Sequence, residues 1–296
     1  MTFAHAVAPQ ELWGAWTMEP GVLVAIALVA ATYGAGLARL WRAGRGRGVA
    51  VRRAMSFYGG IAVLGIALVS PLHALGETLF SAHMVQHLIL MIVAAPLLVY
   101  GAPLVALVMA LPSRVRRRVN GLRRVVAVEW ARRVLTGAIV VWTLHAAALW
   151  AWHLPLLYER ALGNDIVHAA EHASFLGTAL LFWTLVLAPT CGRRPTYPAA
   201  LAIVFTTALQ SSALGAILTF AADPLYPGHA TGAAAWSITL LADQQLAGVI
   251  MWVPAGFVYL TTMAWLFLRW MNGMNEGREG HEGALPPALA GTGDGP

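Results

Sequence analysis

The chain has 296 residues, of which 59% are apolar and 11% charged, and its mean hydropathy is +0.67. Soluble domains do not reach these values, so a soluble enzyme or cytosolic binding module is excluded and an all-α, polytopic membrane protein is expected. The net charge of +6 comes from 19 basic residues, all Arg. They are gathered in a few loops, which makes anionic lipid, and not nucleic acid, the expected partner.

Seven apolar stretches are long enough to cross a hydrocarbon core of about 30 Å. They lie at 21–40, 54–71, 83–111, 134–153, 168–188, 199–221 and 243–268. The sequence therefore divides into an external N-terminal segment (1–20), a seven-helix membrane domain (21–271) and a cytoplasmic tail (272–296). The tail is rich in Gly, Pro and Ala, a composition that cannot bury a core, and it is expected to be disordered. Residues 1–20 hold Glu11 and Glu19 but no Arg. A cleaved signal peptide is accordingly not expected, and the first stretch stays as a helix.

The Arg residues alternate from one connection to the next, and 18 of the 19 fall on one side of a seven-span topology. Because cytoplasmic loops retain positive charge, this places the N-terminus outside and the C-terminus in the cytoplasm. After the third stretch, Arg114, Arg116, Arg117, Arg118, Arg123, Arg124, Arg132 and Arg133 are interleaved with Val115, Val119, Leu122, Val125 and Val126. That pattern suits an amphipathic helix on the inner surface or a solvated positive loop.

The third stretch begins with His83, Gln86 and His87. At 100° per residue, His83 and His87 share one helix face one turn apart, close enough to hold one metal ion. The fourth stretch ends at His153, just before Pro155 stops the helix. The fifth begins with His168, Glu171 and His172, so three consecutive crossings bring five histidines to one depth at the outer face. Ionisable groups inside a membrane are costly and face the bundle interior or a water-filled cavity. A shared polar site holding a metal or haem is therefore expected.

His145 lies about 12 Å deeper on the fourth helix. It reads as a buried group hydrogen-bonded to a neighbouring helix, for instance to the polar run Thr206, Thr207, Gln210, Ser211 and Ser212, or as a second ligand site or relay. Asp243 opens the seventh stretch as a metal ligand, a support for an imidazole N–H, or a helix cap. Gln244 and Gln245 cannot both face the bundle. Pro96 and Pro254 predict kinks. Cys191 is the only cysteine, which rules out a disulfide or thiolate cluster within the chain. No hydrolase triad, phosphate loop or dinucleotide fold is present, so no enzymatic turnover is expected.

The runs from His83 to Pro103 and from Leu149 to Tyr158, the His168-x-x-Glu171-His172 pattern and the run from Asp243 to Pro254 resemble the seven-helix CtaG family of cytochrome c oxidase assembly proteins. The resemblance covers the third to seventh helices. It implies a role in maturing a haem-copper oxidase, with copper delivered at the outer face of a bacterial plasma membrane. The implied partners are oxidase subunits or other assembly factors. Imidazole suits copper, zinc and iron, and thioether prefers Cu(I). The expected metal ligands are His83, His87, His153, His168, His172 and Asp243, with Met84 and Met251 nearby. Met84 reads more readily as a packing or lipid-facing residue. The alternatives are a bis-His haem b protein, with imidazoles from two helices, and a metal-free scaffold.

Overall fold

A computed structural model describes residues 7–42, 44–122, 128–129, 134, 136–187 and 195–282. Among these the chain is helical, with no strand. The helices are α1 (Pro20–Trp41), α2 (Val51–Val69), α3 (Pro71–Thr78), α4 (Phe80–Tyr100), α5 (Pro103–Ala110), α6 (Ser113–Leu122), α7 (Ala138–Trp152), α8 (Pro155–Leu162), α9 (Asp165–Leu187), α10 (Tyr197–Thr219), α11 (Ala230–Ala235) and α12 (Leu240–Glu282). Pro opens α1, α3, α5 and α8 at a position where its missing N–H costs nothing and its fixed φ suits the first turn.

Six helices are long and apolar enough to cross a membrane: α1, α2, α4, α9, α10 and the Leu240–Gly273 part of α12. Their outward faces carry large apolar side chains, for example Leu28 on α1, Leu209 on α10 and Phe257 on α12. Such surfaces belong against lipid tails, and the chain is a multi-pass membrane protein. The stretch read as 134–153 forms α7, which is followed by α8 after a bend of 74°. Pro155 forbids continuation of α7, and His153 sits at its C-terminal cap.

The stretch read as one helix over 83–111 is broken. α4 starts at Phe80, three residues early, and ends at Tyr100; Ala102 then takes a left-handed conformation (φ 51°) before α5 begins. Side-chain packing forces the break. Gly101 passes so close to α2 that a Cβ there would lie 2.6 Å from Phe57 Cβ. Its carbonyl accepts a 2.8 Å hydrogen bond from the Tyr33 hydroxyl on α1. α5 then runs beside the second half of α1, and Arg39 donates to the terminal carbonyls of Met109 and Leu111 at 3.0 and 2.9 Å.

Within α4, residues Ile89–Ala94 form a π-helical turn. Pro96 has no N–H to return to the preceding turn, and the freed Met91 carbonyl accepts a 2.8 Å bond from the Trp183 indole of α9. Pro254, by contrast, lies inside an α12 that continues to Glu282. That helix passes the expected boundary at 271, while residues 283–296 lie outside the described ones. So do Cys191 and, in the Arg-rich segment, Arg123, Arg124, Arg132 and Arg133; its first part is α6.

α10 and α12 pack backbone to backbone through Gly215 and Gly248. A Cβ on Gly215 would sit 2.9 Å from the Gly248 carbonyl oxygen. Close approach of this kind holds membrane helices together where lipid supplies no hydrophobic drive. α12 is also the helix against which the start of α4 rests.

Candidate metal centre

The centre is built where α3, α4, α8 and α9 meet. Leu79 is extended and separates α3 from α4, so the first turn of α4 presents free backbone N–H groups. The fully buried Asp243 of α12 accepts from two of them, Phe80 N at 2.7 Å and Ser81 N at 3.0 Å. This ties the start of α4 to α12. On the other side Gly76 lets α3 lie against α4, because a Cβ there would stand 3.0 Å from Gln86 Oε1 and 3.3 Å from His83 Cα. Gln86 completes the fixing: its amide donates to the Ala67 carbonyl at 2.8 Å and meets His73 Nδ1 at 2.9 Å.

His83 and His87 then point together from successive turns, their ring centroids 4.2 Å apart. α9 supplies His168, Glu171 and His172 from its first two turns. The ring centroids of His83 and His168 are 5.3 Å apart and nearly parallel, and those of His87 and His172 are 5.0 Å apart. His168 and His172 are separated by 4.3 Å. Glu171 Oε1 lies 3.6 Å from His83 Nε2 and 3.9 Å from His87 Nε2. All three residues are buried, at 1–2% exposure.

Both ring nitrogens of His83 and of His87, Nε2 of His168 and His172, and Oε2 of Glu171 have no hydrogen-bond partner despite their burial. An unpaired buried polar group costs about 1–3 kcal/mol. Several in one place are a recognisable cost unless something coordinates them. One ligand atom from each of His83, His87 and Glu171 lies within 4.8 Å of the others, a spacing from which a single ion can draw all three. Two imidazoles and a carboxylate form a donor set for zinc, iron or copper.

The other expected ligands fall in different places. His153 is buried beneath Phe175; its Nδ1 lies 2.7 Å from the Leu149 carbonyl and its Nε2 is unpaired. With His87 it lines a separate cavity of about 20 Å³ that also touches His145, Met84 and Met251. Asp243 faces the α4 backbone as a cap. His145 is buried, as expected of a hydrogen-bonding group, but its partner is Thr178 of α9 (3.2 Å), not the polar run of α10, and its ring stacks on Phe182. Gln244 accepts from Leu225 N at 2.6 Å and Gln245 donates to the Ala221 carbonyl at 3.2 Å, so both hold the loop before α11. Met84 and Met251 are buried packing residues.

Three residues gain importance from the structure. In the sequence Glu171 is only part of a pattern, although its place three residues after His168 puts both on one side of the helix. His73 stands 5.6 Å from His168, with Nε2 3.6 Å from Glu77 Oε1. Burial lowers its pKa from the usual 6.5 and raises that of Glu77. His229 is buried behind the site, Nε2 accepting from the Tyr158 hydroxyl at 2.6 Å and Nδ1 facing the Thr78 carbonyl at 3.2 Å. Tyr158 in turn meets His83 edge to face at 5.3 Å. No sequence spacing announces His229, because its partners are 71 and 151 residues away.

The family model of the cytochrome c oxidase caa3 assembly factor (Caa3_CtaG) matches residues 31–273. The chain belongs to this family. The Caa3_CtaG match takes in the whole histidine cluster and Asp243. Among curated proteins, an uncharacterized protein of Mycobacterium bovis and one of Mycobacterium tuberculosis are each 26% identical over 265 residues, which is 86% of this chain. The chain spans 39% of the length of these relatives. No solved structure matches this Caa3_CtaG chain.

Proposed function

We propose that this chain assists assembly of a haem-copper oxidase by holding a copper ion at the His83, His87 and Glu171 triad, with His168 and His172 completing or exchanging ligands. One observation carries the reading: Nε2 of two buried imidazoles faces one carboxylate oxygen at 3.6 and 3.9 Å, with no other partner. A small cation fits there, since it supplies the charge that would offset burial of Glu171 and occupies the lone pairs of both imidazoles. Copper is cargo in this reading, so the role is non-catalytic, with oxidase subunits or other assembly factors as donor and acceptor. His153 and Asp243 support the centre as a neighbouring imidazole and as the cap that positions α4.

The proposal includes seven spans, with α7 and α8 counted as one bent crossing, an external N-terminus and a cytoplasmic C-terminus in a bacterial plasma membrane. The Arg distribution supports the orientation, and a bacterial membrane is consistent with the mycobacterial relatives. This orientation puts the triad near the outer surface.

The test is purified protein compared with a His83→Ala, His172→Ala double variant, with metal content, visible spectrum and oxidase maturation measured together. Stoichiometric copper lost in the variant, at equal protein level and with reduced oxidase activity at limiting copper, is the expected outcome. A Soret band lost in the variant would instead identify haem. Full oxidase activity of the variant at limiting copper would overturn metal delivery and leave a scaffold.

A further inference from the structure

The triad is buried, so an ion must reach it through a neighbouring space. One cavity fits that need. It has a volume of about 500 Å³ and is bounded by the segment leading into α1, by α2, α3, α4 and α9. Its polar lining is Thr17, Glu19, His73, Glu77, Asp165, His168 and His172; the rest is apolar, and among the described residues no Arg lines it. At about 30 Å³ per water it has room for an ion with its hydration shell.

Two independent features point inward. Nε2 of His168 and of His172, the two imidazoles that stand between this cavity and the triad, are buried and unpartnered. Their rings stand 5.3 and 5.0 Å from those of His83 and His87. The outer lip carries the exposed Glu19 and Asp165, and the half-buried Glu77 lies behind them beside His73. A cleft of one charge sign with low-dielectric walls concentrates counter-ions and raises their rate of entry by 10–10³ in order of magnitude.

We propose that this cavity is an acidic antechamber: Glu19, Glu77 and Asp165 draw a hydrated transition-metal cation from the outer solution, and His73, His168 and His172 pass it to the triad. The ligands progress from carboxylate oxygen to imidazole nitrogen, so each exchange trades water for a better-matched donor. The inference rests on the triad being a metal site, and it adds the route and the residues that set the rate.

The experiment uses the full chain in detergent with Cu²⁺ as the probe, following uptake by quenching of tryptophan fluorescence in stopped flow and final stoichiometry by elemental analysis. The Glu19→Gln, Glu77→Gln, Asp165→Asn variant is expected to load at least tenfold more slowly, with wild-type stoichiometry at equilibrium. Wild-type loading is expected to slow as ionic strength rises from about 0.01 to about 0.5 M, because screening shortens the reach of exposed carboxylates. That measurement needs no variant and decides the matter if the triple variant fails to fold. A loading rate indifferent both to salt and to the substitutions would overturn the antechamber while leaving the triad intact. Loss of stoichiometry in the variant would also overturn it, by making these carboxylates ligands. If wild-type protein takes up no ion, the triad reading falls first.

Discussion

In the proposed centre Glu171 is the one carboxylate facing His83 and His87, and so the one donor that can offset a cation's charge. Glu171→Gln keeps the volume and removes the charge. Its metal affinity is expected to fall by more than the roughly 10–100-fold that loss of a supporting hydrogen bond costs. Equilibrium titration with Cu²⁺ checks this, and an unchanged affinity would take Glu171 out of the site. His229 makes a different prediction. Burial pushes its pKa down from 6.5 to about 4, so the unfolded chain binds the proton more readily than the folded one. The stability from its neutral ring is present above pH 6.5 and is lost as pH falls toward about 4. Thermal midpoints measured across that interval should decline on acidification, and less steeply in His229→Gln; a midpoint that climbs would contradict the assignment.

Among the elements, α4 depends on α12 through one carboxylate. In Asp243→Asn, an amide NH₂ faces one of the two N–H donors of Phe80 and Ser81, and one donor is orphaned at a cost of about 1–3 kcal/mol. Reduced thermal stability with wild-type metal stoichiometry in the folded fraction is expected; loss of metal at unchanged stability would make Asp243 a ligand. The i,i+4 pairs of histidines were legible in the sequence because helical periodicity alone aligns them. That His83, His87, His168 and His172 would gather was readable from the alternating direction of successive spans. The break at Gly101 was not legible, since 83–111 is uniformly apolar and only the approach of Phe57 and Tyr33 explains it. The partner of His145 was equally hidden: α9 and α10 both carry hydroxyls at its depth, and packing alone selects Thr178. Glu171 stood in plain view, and its weight came only from the distances.

At the scale of the whole molecule, the charge pattern makes the sharpest prediction. Reporter fusions after Pro112 and Arg194 should read cytoplasmic, and fusions at Asn164 and Gly228 external. A cytoplasmic reading at Asn164 would invert the face on which the cluster opens. Hydropathy sufficed for the class of protein and for most helix positions, because burial in lipid demands long apolar runs and satisfied backbone groups. It could not show that α7 stops after 15 residues. At 1.5 Å per residue that helix is about 22 Å long, short of a hydrocarbon core of about 30 Å. Ile139, Leu144 and Trp150 still face outward from it. α8, turned by 74°, adds only about 3 Å along the axis of α7, so in the proposed bent crossing the bilayer beside α7 is expected to thin by several ångströms, drawing headgroups and water toward the buried His145 and His153. Lipid chain length is then expected to act as a control on this protein: acyl tails that fit the other spans would strain this one, and shorter tails would relieve it.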